Sequence, residues 1–179
     1  MLHWESMIER DFMIQLETDP LVLRFREQPG TFALEVNGET RRYTPDIYAE
    51  EAAGPCVYEV KPDDDLEDNE DLFRAAADFF ECHGYRFVVA KQSAIQKQPQ
   101  LRNKEILLRY AAHPIAPQTA TAARAILLAT GGCPFGQLVD ALKMYGGTRG
   151  TIYGLMYRGL ISADFEHKDL TDSTMVRWL

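Results

Sequence analysis

Two short segments combine carboxylates with a lysine at a spacing that suits phosphate chemistry. Asp46 follows Pro45, and after twelve further residues come Glu59 and, two positions on, Lys61. Because successive side chains of a strand alternate between its faces, Glu59 and Lys61 are expected on one face. A neighbouring strand that carries Asp46 would bring two carboxylates and one ammonium group together.

Phosphodiester hydrolysis requires a group of this kind. Proteins hold Mg²⁺ with one or two carboxylates and leave several waters on the ion. The metal lowers the pKa of a bound water, and a nearby lysine stabilises the developing oxyanion. We expect these side chains to be exposed, so that replacing one costs little stability. A turn after proline and a solvated strand face explain the same residues, and the spacing alone leaves this alternative open.

Glu9 is a further candidate acid, on a helix upstream of the two segments. Apolar residues recur at Ile8, Phe12 and Leu16, which predicts an amphipathic helix. Ser6 and Glu9 have the spacing of a capping box at its start. Glu9 therefore has a structural interpretation as well as a catalytic one.

The elements around these residues predict a mixed α/β sheet flanked by helices. Alternating patterns predict strands at about 22–26, 31–36, 40–49 and 56–61, and Asn37-Gly38 predicts a two-residue hairpin turn. Helices are predicted at 70–83 and 99–112. Between them, the strand 85–90 is apolar enough to be central.

A change of pattern near His113 to Pro117 predicts a domain boundary, with domains 1–114 and 115–179. Helices are predicted at 119–130, 135–143 and 148–157, followed by short strands at about 160–166 and 174–179. Three short helices followed by a β-hairpin are typical of a small C-terminal winged-helix domain.

The charge distribution is uneven. The chain has 19 basic and 27 acidic residues, a net charge of -8, which argues against a nucleic-acid partner. Residues 86–114, however, carry six basic side chains and one acid, and screening limits distant charge to a reach of ~8–10 Å. This stretch predicts phosphate contacts, with an ordinary charged helix as the alternative. The candidates are Lys91, Lys97, Arg102 and Lys104.

Cysteine usage and hydropathy define the expected compartment. The three cysteines are far apart and form no C-x-x-C pair, which disfavours a disulfide framework or a zinc ribbon. No run approaches the ~20 apolar residues of a membrane span. We expect a soluble protein of a reducing compartment, without a membrane partner.

Five motifs, in order over about residues 5–91, resemble TnsA, the endonuclease subunit of heteromeric transposases. The tail, from Gly159 onward, is similar to the C-terminal winged-helix part of that family. The five motifs are Ser6-x-x-Glu9-Arg10-Asp11-Phe12, Asp19-Pro20, Glu27-Gln28-Pro29, Tyr43-Thr44-Pro45-Asp46 and Glu59-Val60-Lys61-Pro62.

The resemblance implies a restriction-endonuclease-like PD-(D/E)xK fold that cuts the 5′ ends of a transposon during cut-and-paste transposition. Glu9, Asp46 and Glu59, with the backbone carbonyl of Val60, would hold Mg²⁺, for which Mn²⁺ substitutes. Lys61 would be the catalytic lysine. The implied setting is the prokaryotic cytoplasm, with the chromosome.

The implied partners are double-stranded DNA at transposon ends, a DDE transposase (TnsB-like) and an AAA+ regulator (TnsC-like). Because the third helix of the C-terminal domain carries few cations, we expect that domain to bind a protein rather than DNA. The residues predicted for this surface are Tyr153, Met156, Tyr157 and Trp178. Two alternatives stay open: a free-standing PD-(D/E)xK repair or junction nuclease, and a non-catalytic winged-helix DNA-binding or adaptor protein.

Overall fold

The computed structural model describes residues 7–179, except for the side chain of Glu67. Ser6, and with it the predicted capping box, lies outside these residues. The chain divides into two compact units, one ending at Lys97 and the other comprising Gln98–Leu179. The boundary predicted after residue 114 follows the helix of residues 100–109, whereas the boundary between the units precedes it.

The first unit alternates helices and strands. Its helices are α1 (Met7–Glu17), α2 (Glu70–Cys82) and the single turn α3 (Gln92–Ile95). Its strands are β1 (Val22–Glu27), β2 (Phe32–Val36), β3 (Glu39–Tyr43), β4 (Ile47–Glu51), β5 (Gly54–Lys61) and β6 (Arg86–Lys91).

Four strands form a mixed sheet in the order β1-β4-β5-β6, and β2 and β3 form a separate hairpin. β4 is antiparallel to β1 and β5, and β6 is parallel to β5. The single strand predicted at 40–49 is wrong: it divides into β3 and β4 around Pro45, which cannot donate to a ladder. This break frees Asp46 from regular pairing.

The strand predicted to be central, β6, lies at an edge of the described sheet. Its apolar sequence has another cause, because both of its faces are covered. Phe87 packs with Phe80 of α2 on one face, and Ala90 packs in the cluster that contains Ile95 of α3 on the other. An apolar strand therefore indicates two covered faces, not two neighbouring strands.

The second unit contains four α-helices and three short strands in its described residues. The helices are α4 (Gln100–Arg109), α5 (Pro117–Thr130), α6 (Phe135–Leu142) and α7 (Arg149–Tyr157). The strands β7 (Cys133–Pro134), β8 (Ile161–Ser162) and β9 (Met175–Trp178) pair in the order β7-β9-β8.

The buried side chain of Asn103 on α4 fixes the long loop between β8 and β9. Its Nδ2 donates to the carbonyl oxygens of Phe165 and Lys168, at 2.7 and 2.8 Å, and its Oδ1 accepts from the Leu170 N–H. This loop takes up residues predicted as strand, because its backbone groups bond to Asn103 rather than to a neighbouring strand. α4 is therefore part of the packing of the second unit.

α7 lies against the C-terminal end of α4, with residues 150–156 buried. Two glycines allow this approach, since a Cβ on Gly150 would lie 2.9 Å from the Tyr110 ring and one on Gly154 would lie 3.3 Å from the Tyr110 carbonyl oxygen. The prediction that Tyr153 and Met156 form an exposed partner surface is wrong, because they are 7% and 6% exposed and belong to the core.

The other two residues predicted for that surface, Tyr157 and Trp178, are partly buried and pack against the same core. Large apolar side chains are exposed elsewhere in the unit, including Met144, which is 81% exposed, and Tyr145. Between residues 7 and 179, no helix is long and apolar enough to cross a bilayer.

Candidate active site

Asp46 is fixed between two strands by hydrogen bonds at both its backbone and its side chain. Its Oδ2 accepts from the backbone N–H of Val60 on β5 at 2.7 Å. Its carbonyl oxygen accepts from the N–H of Gln28, which follows β1, at 2.8 Å. The pairing of Ile47 with Tyr58 places Asp46 beside Glu59. The strand break at Pro45 thus positions a carboxylate at the end of β5.

Glu59 is buried, with 5% exposure, and both of its carboxylate oxygens have partners. Oε1 lies 2.8 Å from Lys61 Nζ. Oε2 accepts a 2.6 Å hydrogen bond from the hydroxyl of Tyr43, the last residue of β3. The lysine and the tyrosine together compensate a carboxylate that burial alone would destabilise.

The electrostatics show that the two acids and the lysine act on one another. Burial, and then the charge of Glu59, raise the pKa of Asp46 to about 6, against the opposing effects of the Val60 N–H and Lys61. Burial lowers the pKa of Lys61, but the hydrogen bond and charge of Glu59 outweigh it, so the net shift is upward. Lys61 is therefore a cation at neutral pH.

Glu9 lies on α1 and is half-buried. Its charge raises the pKa of Asp46, which places Glu9 within electrostatic reach of the other site residues. Across residues 7–179, no three His, Cys, Asp or Glu side chains are grouped so as to hold a metal ion. The carboxylates of Glu9, Asp46 and Glu59 are thus not already arranged around one point.

The basic residues predicted to contact phosphate differ in exposure. Lys91 and Lys97 are exposed. Arg102 is paired with Asp169 at 3.1 Å. Lys104 is only 9% exposed, which removes it from a surface that phosphate could reach. The prediction fails for Lys104 because it lies on the inner side of α4, next to Asn103.

The chain resembles a known protein family over part of its length. Residues 19–92 match the family described as TnsA-like endonuclease N terminal. This part of the chain is therefore similar to the N-terminal domain of TnsA-like endonucleases. The matched range includes Asp46, Glu59 and Lys61, whereas Glu9 precedes it. No curated protein matches the chain.

The donors at the candidate active site suit a divalent cation by their chemistry. Asp46, Glu59 and the Val60 carbonyl offer only oxygen, the ligand atom that Mg²⁺ prefers. Asp46 Oδ2 accepts from the Val60 N–H, and among residues 7–179 no hydrogen bond to Oδ1 is formed.

Two further residues of the matched range belong to the surroundings of the site. Tyr43 and Glu27 both occur in motifs of the sequence resemblance, but the sequence gives neither a role. Tyr43 holds Glu59, and Glu27 is paired with Ile47, next to Asp46. Glu27 Oε1 is buried and has no hydrogen-bond partner among the described residues. In the sequence, a polar residue at the end of a strand with apolar residues is the signal that could have drawn attention to Tyr43 and Glu27.

Proposed function

We propose that this chain is a Mg²⁺-dependent DNA endonuclease that hydrolyses phosphodiester bonds at the 5′ ends of a transposon during cut-and-paste transposition. The observation that carries the proposal is the cluster of Asp46, Glu59 and Lys61 on adjacent strands. This cluster lies within the range that matches the TnsA-like endonuclease family. The match supports a nuclease, and the cluster supplies side chains suited to the reaction.

The residues of the candidate active site have different roles in the proposed reaction. Asp46, Glu59 and the Val60 carbonyl, with Glu9, would hold Mg²⁺, which supplies an activated water and stabilises developing negative charge when bound. Lys61 is protonated at neutral pH, so it offsets charge and donates hydrogen bonds rather than acting as a base. Tyr43 holds the second oxygen of Glu59 and fixes the carboxylate orientation.

We further propose that residues 117–178 form a winged helix that binds protein rather than DNA. The order helix, strand, two helices and two strands supports a winged helix. α7 has the position of the DNA-reading helix, but it is buried against α4. Its Arg149 is paired with Asp172 and lies 4.9 Å from the Phe135 ring centroid. Little of the surface of α7 is therefore left to contact DNA phosphates.

The proposed partners are a DDE transposase of the TnsB type, an AAA+ regulator of the TnsC type and double-stranded DNA at the transposon ends. The exposed Met144 and Tyr145 are better candidates for a protein contact than Tyr153 and Met156. Apolar and aromatic groups of this kind are enriched at protein interfaces.

The test is a cleavage assay on end-labelled transposon-end DNA, with and without a DDE transposase of the TnsB type. We expect cutting at the 5′ ends in Mg²⁺ or Mn²⁺, dependent on the transposase, and none by the Lys61→Met variant. Cutting at the parental rate by Lys61→Met would reject the proposed catalytic group. Sequence-specific cutting by this chain alone would instead support a free-standing nuclease.

A further inference from the structure

The first unit contains a cavity of about 640 Å³ between β1, β4 and the C-terminal end of α2. This volume lies within the range of small-molecule sites. The cavity wall is mainly aromatic, with rings from the hairpin, the sheet and α2. The aromatic residues are Phe25, Phe32, Tyr48, Phe79, Phe80 and Tyr85.

Two arginines lie at the edge of this aromatic cavity. Arg24 is paired with Glu50 at 2.5 Å, and the guanidinium of Arg26 lies 5.3 Å from the Tyr48 ring centroid. Both arginines are exposed. Because one acid faces two permanent cations here, the local field favours an anionic occupant.

The aromatic cavity and the carboxylate of Glu59 lie on the same face of the sheet. Val57 lines the cavity, and Glu59 lies two residues further along β5, so both side chains point to one face. Phe80 also lines the cavity, and its ring centroid is 6.3 Å from that of Tyr43, whose hydroxyl binds Glu59. The rings of Phe80 and Tyr43 thus connect the cavity wall to Glu59.

We propose that the aromatic cavity binds an unpaired nucleotide of the DNA strand that enters the active site. Aromatic side chains stack on nucleobases without requiring a particular sequence. The guanidinium group of arginine can donate two parallel hydrogen bonds to the oxygens of a phosphate. A base inside a duplex cannot enter a concave pocket, so the nucleotide must be unstacked or single-stranded. This inference rests on the proposed nuclease function, because it takes the nuclease substrate as the ligand.

Binding can be measured without catalysis, by fluorescence anisotropy of a labelled thymidine oligonucleotide with the full chain in EDTA. The variants are Arg26→Gln, which removes a phosphate partner, and His83→Trp, which fills the cavity mouth beside Phe79. Arg74→Gln is the matched control, since Arg74 is an exposed arginine of α2 that does not line the cavity. Circular dichroism checks that each variant is folded.

We expect each cavity variant to weaken oligonucleotide binding at least about fivefold, which for His83→Trp is the lower end of the effect of one stacked base. Arg74→Gln should change it less than twofold. An abasic strand of the same length should bind the parent more weakly and be indifferent to His83→Trp. Equal binding by the parent and both cavity variants would overturn the proposal, and a peptide occupant would then be the better explanation.

The same variants separate this inference from the proposed function. Strand binding that depends on the cavity, in a protein that never cuts DNA, would reject the nuclease proposal and leave the nucleotide site standing. Normal cutting with oligonucleotide binding that is unaffected by both cavity variants would reject the nucleotide site alone.

Discussion

The hydroxyl of Tyr43 donates to Glu59 across the gap between the hairpin and the central sheet, at 2.6 Å. The two residues are sixteen positions apart, and they belong to sheets that share no backbone ladder. The hairpin therefore contributes to the candidate active site through one side chain. Its position relative to β5 determines how Glu59 is oriented.

Replacing Tyr43 with phenylalanine should lower the cleavage rate about tenfold, because partners that orient a ligand commonly have effects of 10–100-fold. The free energy of unfolding should fall by about 1–3 kcal/mol, since a buried carboxylate oxygen loses its donor. Single-turnover kinetics and chemical denaturation measure the two effects.

Tyr58→Phe is the matched control for Tyr43→Phe. The Tyr58 hydroxyl also donates to a carboxylate, that of Glu51, which is not a site residue. We expect Tyr58→Phe to destabilise the fold and leave cleavage unchanged. Equal loss of cleavage in both variants would show that Tyr43 acts only through general stability.

Lys61→Met should reduce cleavage at least about 100-fold, the scale for losing a group that stabilises developing charge. It should also destabilise the fold, by up to about 3 kcal/mol, because Glu59 is left buried without its cation. This corrects the sequence-based expectation of exposed side chains and little stability cost. Differential scanning fluorimetry measures the change.

The double variant Glu59→Gln/Lys61→Met tests this explanation. Removing the charge on Glu59 should recover most of the lost stability, while cleavage stays absent. A double variant less stable than Lys61→Met would contradict the compensation of Glu59 by Lys61.

The pH dependence of stability should report Asp46 in the metal-free protein. Its pKa rises from 3.8 to about 6 on folding, so the folded state holds the proton more tightly. The resulting stability is fully present below pH 3.8 and is lost as the pH rises through about 6. Asp46→Asn keeps an acceptor for the Val60 N–H but cannot ionise, so its stability should not fall in this pH range.

We therefore expect Asp46→Asn to have nearly the parental melting temperature at pH 4 and one about 2–5 °C higher at pH 7.5, in EDTA. Thermal unfolding at both pH values checks this difference. A variant that melts below the parent at pH 7.5 would contradict the raised pKa.

Adding a methyl group to α7 should distinguish its two glycines. Gly150→Ala should cost about 1–3 kcal/mol, because the new Cβ meets the Tyr110 ring at 2.9 Å. Gly154→Ala should cost less, since its nearest neighbours, the flexible end of Ile115 at 3.2 Å and the Tyr110 carbonyl oxygen at 3.3 Å, are farther away. Chemical denaturation of both variants tests the order, and the reverse order would contradict the tighter packing at Gly150.

Local features of the fold could be predicted because local chemistry determines them. The apolar spacing of Ile8, Phe12 and Leu16 predicts a helix, and α1 is confirmed at Met7–Glu17. Asn37 and Gly38 have positive φ angles of 53° and 82°, as the predicted hairpin turn requires. The break at Pro45 could also have been predicted, because proline cannot donate to a β-ladder. The alternating pattern on both sides of it instead indicated one continuous strand.

Features that depend on distant contacts could not be predicted. Lys104 is part of a basic stretch, and nothing nearby in the sequence shows that its side chain is buried. Tyr153 and Met156 have the composition of an interface or of a core, and their packing against the other elements of the second unit decides for the core. The role of Tyr43 depends on how a hairpin packs on a sheet, which residue spacing does not encode.

The contact of α4 with Gly150 and the bonds of Asn103 also determine where this chain could be recombined with a relative. In chimaeras that exchange the nuclease part, a crossover after residue 114 would combine α4 from one parent with α7 from the other, and their surfaces would no longer match. A crossover between Lys97 and Gln98 keeps α4, α7 and the loop after β8 from a single parent. Gene fusions and natural domain shuffling should tolerate that junction best.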